Sequence, residues 1–305
     1  MFEKILFATT ASPACEHAAN VAFDLAKKYG STLYVLHVLG TPTRGFSPFV
    51  VSTRTGATEV LDQHYLGSIR EEMKATYSKQ IEGGGKVLLE VAAGLPHVEI
   101  LRFARKENVD LIVMGAHTRL EETGASRFRS IVGSTLQKVA KSSRSPLLVI
   151  SRPCATCWWY FSNIIFGTDF SKASLSAFLF AYKVAKEIGC KLYLFHALNV
   201  GDGRDGKSLS QGQIEKLVQE TRKRMEEVYV SKMKDFDNYE IDVWEGTPHV
   251  EILKFARERQ GDLIVMAHHA REIDPEDAEL GSTVEEVVLR AACPVASVNH
   301  PDKVG

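Results

Sequence analysis

The sequence repeats itself. Ile5-Leu6-Phe7-Ala8-Thr9-Thr10-Ala11-Ser12 returns 159 residues later as Ile164-Ile165-Phe166-Gly167-Thr168-Asp169-Phe170-Ser171. Leu33-Tyr34-Val35-Leu36-His37-Val38 returns at the same offset as Leu192-Tyr193-Leu194-Phe195-His196-Ala197. Gly94-Leu95-Pro96-His97-Val98-Glu99-Ile100-Leu101 comes back 152 residues on as Gly246-Thr247-Pro248-His249-Val250-Glu251-Ile252-Leu253. Asp110-Leu111-Ile112-Val113-Met114 is matched by Asp262-Leu263-Ile264-Val265-Met266, and Gly133-Ser134-Thr135 by Gly281-Ser282-Thr283 at an offset of 148. The offset shrinks in steps, so insertions fall between matched stretches, where surface loops tolerate them. A chain of 305 residues holds two ordinary domains, and each copy is read as one: residues 1–153 and 160–300, with a linker at 154–159.

Within a copy the pattern alternates strand and helix. Ile5–Thr9 is a short apolar run; Ser12 then offers an N-cap with Pro13 at the first helical position, and Gly30 a left-handed stop. Ser171 and Gly189 bracket the equivalent helix of copy two. Leu33–Val38 is the next strand. Leu61, Tyr65, Ile69, Met73, Tyr77 and Ile81 recur at steps of four, predicting one long helix with an apolar stripe. Strands are expected at Val87–Val91, Leu111–Met114 and Leu147–Ile150, with helices over 98–107 and 132–141 between them. The fold class is therefore α/β: two tandem doubly wound domains, each a five-stranded parallel sheet with helices on both faces. In such sheets ligands sit beyond the carboxyl ends of the strands, where the winding reverses. The loops after the first and fourth strands are the places to look.

Bulk properties exclude several functions. A net charge of −1 gives no overall field for nucleic acid or an anionic membrane, and no apolar run reaches the ~20 residues of a membrane helix. The start lacks the regions of a secretory signal, and five cysteines, an odd number, argue against a disulfide framework. A cytoplasmic protein is expected.

At those two loops the chain resembles the universal stress protein family. That pattern ends its first strand in Asp-Gly-Ser or Asp-Phe-Ser and its fourth in Met-Gly, followed by Gly-x-x-Gly, nine residues, and Gly-Ser or Gly-Thr opening a helix. Copy two keeps the first part as Gly167-Thr168-Asp169-Phe170-Ser171; copy one keeps more of the second as Met114-Gly115-Ala116-His117-Thr118-Arg119 and Gly133-Ser134-Thr135. Both copies place Pro before the last strand, in Ser145-Pro146-Leu147 and Cys293-Pro294-Val295. The resemblance covers nearly the whole chain. It implies an adenine nucleotide alpha-hydrolase-like fold and two domains about a pseudo-two-fold axis, joined through their final strands. Function by resemblance is stress-response regulation through a bound adenine nucleotide: ATP, ADP or AMP, with or without Mg. The acid after the first strand would accept from the adenine amino group, and the residue ending the second strand (Val38, Ala197) would lie against the base.

Candidate ligand contacts are then Thr9, Thr10, Val38, Met114, Gly115, His117, Arg119, Arg127, Arg129, Gly133, Ser134 and Thr135 in copy one. In copy two they are Thr168, Asp169, Ala197, Met266, His268, Gly281, Ser282 and Thr283. Glycines after a strand let backbone N–H groups wrap phosphate, and Gly-Ser-Thr at a helix start adds hydroxyls and the positive dipole end. Neither copy has every element. Copy one carries Thr10 in place of the acid and Thr118 in place of the second glycine, with fourteen residues from there to Gly133. Copy two has Ala267 and Ala270 for both glycines, with ten residues before Gly281. Arg119, Arg127 and Arg129 face Glu121 and Glu122 in the first loop, whereas Arg271 is outnumbered by Glu272, Asp274, Glu276, Asp277 and Glu279 in the second. Charge favours the first copy for phosphate.

Two readings from other classes stay open. One is a nucleotide-free interaction scaffold of the same fold, acting through an unidentified protein partner. The other is an enzyme, either a weak ATPase or a thiol-redox protein using Cys154 and Cys157 of the linker. No Ser-His-Asp or paired-carboxylate set falls on one loop group, and His97/Glu99 and His249/Glu251 point to different helix faces, so neither catalytic nor metal residues are assigned. The segments 41–56 and 200–212 read as excursions beyond the second strand of each copy. A homodimer or an intramolecular pseudo-dimer is expected.

Overall fold

The computed structural model describes residues 1–11, 15–40, 49–51, 58–60, 62–116, 134–151, 161–199, 210–267 and 282–300. Copy one runs β1 (Lys4–Thr9), α1 (Glu16–Tyr29), β2 (Thr32–Gly40), β3 (Phe49–Val51), β4 (Thr58–Val60), α2 (Gln63–Thr76), α3 (Ser78–Glu82), β5 (Lys86–Gly94), α4 (Pro96–Lys106), β6 (Leu111–Gly115), α5 (Ser134–Ser142) and β7 (Leu147–Ile150). Copy two runs β8 (Asn163–Gly167), α6 (Lys172–Ile188), β9 (Lys191–Leu198), α7 (Gln211–Val228), a 3-10 turn (Val230–Lys232), β10 (Tyr239–Glu245), α8 (Pro248–Glu258), β11 (Leu263–Met266), α9 (Ser282–Arg290) and β12 (Val295–Ser297).

Ten of these strands form one sheet, ordered β10-β9-β8-β11-β12-β7-β6-β1-β2-β5. Each copy supplies five strands that pair in parallel, as the alternation of elements requires. The copies join where β12 and β7 pair antiparallel, with Val295 opposite Val149, Ala296 opposite Leu148 and Ser297 opposite Leu147. Leu148 and Ala296 hold the same position in the two copies, 148 residues apart, so the pseudo-two-fold axis passes between them.

The sheet's pleat sorts its side chains into two cores. Ile5, Phe7, Val35, Val113 and their copy-two equivalents pack under α1, α2, α6 and α7; Leu6, Leu36, Ile112 and Met114 pack under α4, α5, α8 and α9. Phe7 and Phe166 are fully buried at equivalent places, each contributing on the order of 1.5–3 kcal/mol.

Helix ends follow their residues. Ser171 Oγ accepts from Ser174 N at 3.2 Å and opens α6, while α1 and α6 end in left-handed Gly30 and Gly189. Ser12 and Pro13 lie outside the described residues, and α1 is described from Glu16 with Cys15 before it. One expectation is corrected: the apolar stripe of copy one forms two helices, α2 and α3, with Tyr77 between them at φ −103°, ψ 17°. A period of four carries through the break because Tyr77 itself points into the core, 3% exposed. Another feature escaped the sequence reading. Within and just past the excursion at 41–56, β3 and β4 pair as an antiparallel hairpin, Phe49 opposite Val60.

Candidate functional site

In each copy the chain winds outward from the first strand to one side and returns to the other. β1 lies between β2 and β6, with Ala8 opposite Leu36 on one side and Met114 on the other. β8 likewise lies between β9 and β11, with Gly167 opposite Phe195 and Met266. The reversal opens a crevice at the carboxyl ends of these three strands. It brings together Thr9, Val38 and Met114 in copy one, and Thr168, Ala197 and Met266 in copy two.

Side-chain direction divides these residues. Val38, Met114, Ala197 and Met266 belong to the core layer of α4, α5, α8 and α9; Met114 and Met266 are each 7% exposed, leaving an apolar floor. α5 begins at Ser134 beyond β6 and packs in the same layer, its first residues Ser134 exposed and Thr135 half-buried. At a helix start the first-turn N–H groups have no partner within the helix, and the dipole adds positive potential. Thr283 is half-buried near the start of α9. His117, Arg119, Arg127, Arg129, Gly133, His268 and Gly281 lie outside the described residues, as do Cys154 and Cys157; of Ser282 only the backbone, opening α9, is described.

Thr9 and Thr168 serve the turn itself. Thr9 Oγ1 is 2.6 Å from Tyr77 Oη and accepts from Ala11 N at 2.9 Å; Thr168 Oγ1 is 2.5 Å from Tyr229 Oη and accepts from Phe170 N at 2.9 Å. These bonds hold Ala11 and Phe170 in the left-handed region, at φ 55° and 61°. The backbone oxygen of each threonine meets a histidine of the neighbouring strand: His37 Nδ1 to Thr9 O at 3.0 Å, His196 Nδ1 to Thr168 O at 2.7 Å. Such a bond places the ring proton on Nδ1 in the neutral form. Burial holds the His196 imidazole below its ordinary pKa, which favours that neutral form. Both histidines belong to the turn, a role that their recurrence in sequence did not reveal.

The residue after the threonine distinguishes the copies. Asp169 is exposed, and its Oδ1 accepts from Ser171 N at 2.9 Å and Ser174 Oγ at 2.5 Å. Thr10 and Cys15 stand at the same two positions of copy one, with Thr10 Oγ1 3.3 Å from Cys15 Sγ. An acid–hydroxyl pair has become a hydroxyl–thiol pair, and copy one carries no carboxylate at that turn. Phe170 also lies under Arg224, whose guanidinium carbon is 4.1 Å from the ring centre, and beside His196 at 4.9 Å. Ala11 replaces that ring in copy one. Among the described residues no cluster of three or more His, Cys, Asp or Glu could hold a metal.

The duplicated crevice and turn match a known family. The family model described as the Universal stress protein family fits the chain twice, over residues 1–151 and 161–299. This chain belongs to the universal stress protein family, as two tandem domains. A universal stress protein of Methanocaldococcus jannaschii is 31% identical over 153 residues, half of this chain and 84% of its own length. The universal stress protein YxiE of Bacillus subtilis is 29% identical over 159 residues, 49% of this chain and 99% of its own. These relatives match one half of the chain at a time. Over the full length, a universal stress protein of Archaeoglobus fulgidus superimposes with a TM-score of 0.65 at 22% identity, covering 98% of both chains. A functionally unknown protein of Pseudomonas aeruginosa gives 0.62 at 17% identity over 99% of this chain and 94% of that one, so the two-domain arrangement recurs at the level of fold. No helix among the described residues is long and apolar enough to cross a membrane.

Proposed function

We propose that this universal stress protein is a stress-response regulator that binds an adenine nucleotide at the carboxyl ends of the first and fourth strands, with the phosphates in copy one. The observation that carries the reading is a juxtaposition: Val38 and Met114 form an apolar floor in the layer where α5 begins, so a flat base and an anion have adjacent places. The residues fit such a ligand in kind. Val38 and Met114 would lie against the base, and Ser134, Thr135 and the open N–H groups of α5 would hold phosphate. Arg119, Arg127 and Arg129 of that loop, against the single Arg271 of copy two, would add cationic partners. Copy two keeps Asp169 at the turn, but two bonds within the turn already use one of its oxygens. Five carboxylates in its loop oppose a phosphate chain.

Freshly purified protein would be denatured and its released small molecules analysed by mass spectrometry. ATP, ADP and AMP would then be titrated by calorimetry, with and without magnesium. Co-purifying nucleotide supports the reading, and micromolar binding lost in Gly115→Arg would place phosphate in copy one. Binding lost only in an Asp169 variant moves the site to copy two. No nucleotide and no heat would leave a scaffold acting through protein contacts.

A further inference from the structure

Two pairs lie on the pseudo-two-fold axis. In the sheet Leu148 stands opposite Ala296, both fully buried. On the opposite face of the sheet Gln137 of α5 donates from Nε2 to Glu285 Oε1 of α9 at 3.0 Å, and these two residues are also 148 positions apart. A residue on a two-fold axis meets its own equivalent, so a seam made from two identical copies would have identical residues in both pairs. This seam has unlike residues in each, and each pair is complementary: a large side chain meets a small one, and an amide donor meets a carboxylate.

We propose that the seam accepts only unlike partners, pairing copy one with copy two and rejecting either copy paired with itself. Copy two against copy two would set Glu285 against Glu285 and Ala296 against Ala296: like charges facing at hydrogen-bond distance on one face of the sheet, and a void in the core on the other. Copy one against copy one would set Leu148 against Leu148 in space that holds one leucine and one methyl, although Gln137 can bond another Gln137. Overpacking and void formation each destabilise a close-packed interior, and facing carboxylates repel. The surface thus fits one kind of partner, the opposite copy of the tandem, and disfavours the pairing of like halves from two chains.

Single substitutions in the full-length chain build each like pair directly, and swapped doubles restore the unlike one. Gln137→Glu makes the Glu–Glu pair, Leu148→Ala the Ala–Ala pair and Ala296→Leu the Leu–Leu pair. Each should lower the thermal midpoint by about 2–4 °C or more. The deficit of Gln137→Glu should shrink as salt rises. Glu285→Gln alone should change little. The swaps Gln137→Glu with Glu285→Gln, and Leu148→Ala with Ala296→Leu, should return to within about 1 °C of the parent. The Gln/Glu set is half-exposed and reads out even if Ala296→Leu fails to fold. The proposal is overturned if the swapped doubles lose as much as their singles combined, or if Gln137→Glu is as stable as the parent at low salt.

Discussion

Tyr77 Oη lies 2.6 Å from Thr9 Oγ1, and the same contact recurs between Tyr229 and Thr168 at 2.5 Å. The tyrosine stands where a helix breaks, after α2 in one copy and α7 in the other. Through the threonine it holds the turn that borders the crevice, because Thr9 Oγ1 also accepts from Ala11 N. Tyr77→Phe removes one partner and leaves Thr9 with another, so it should cost about 1 kcal/mol. Thr9→Val strands both the buried phenol and the Ala11 N–H and should cost more, about 2–3 kcal/mol. Urea unfolding of both variants measures the order; equal losses would show that the hydroxyl pair does not organise the turn.

The same burial predicts an alkaline weakness. Tyr77 is pushed from 10.0 up to about 12 and Cys190 from 9.0 up to about 11, in both cases mainly because the charged form would be desolvated. Above pH 9 the unfolded chain ionises groups that the folded chain keeps neutral, so unfolding releases protons. Stability from these groups is intact below pH 9 and falls as pH rises towards 12. The loss is at most about 1.4 kcal/mol for each tenfold change in a group's ionisation constant, and solvent screening reduces it. Urea midpoints from pH 8 to 11 should decline in the parent and less steeply in Cys190→Ala, after allowance for that variant's own loss at pH 8.

Much of this was legible beforehand. The repeat and the parallel sheets follow from apolar runs and matched spacing, which record which faces are buried; the joining of final strands was implied by the family resemblance alone. The break at Tyr77 was not legible, since a period of four reports the direction of side chains and is silent on a single non-helical residue that keeps facing inward. The commitment of Thr9 and Thr168 to tyrosines 68 and 61 positions away was equally hidden. Spacing signals local structure, and these are long-range bonds whose only trace is a tyrosine recurring in both copies.

The two outer strands of the sheet are guarded alike. Arg70 Nε of α2 donates to Leu89 O of β5 at 3.1 Å, and Arg222 Nη1 of α7 donates to Ile241 O of β10 at 2.7 Å. β5 and β10 end the strand order, and bare carbonyls at a sheet edge invite another chain to pair. Arg222→Ala should therefore cost only about 1 kcal/mol yet raise self-association. Light scattering during prolonged incubation at high protein concentration checks this, with Lys223→Ala, on the same helix, as the control. A parent and variant that scatter equally would mean the edge is protected by other means.

Asp169 has a structural duty that any ligand test must separate from binding. Its Oδ1 accepts from Ser171 N and Ser174 Oγ at the start of α6, so removing it weakens a helix entrance whether or not nucleotide is bound. Asp169→Ala should cost about 1 kcal/mol in ligand-free protein. Asp169→Asn keeps an acceptor oxygen and should cost less, while losing the negative charge that would accept from an adenine amino group. Calorimetry of the Asn variant is thus the cleaner experiment. Unchanged affinity there, with unfolding shifted only in the Ala variant, would assign Asp169 to the turn and leave copy one as the place where a nucleotide is held.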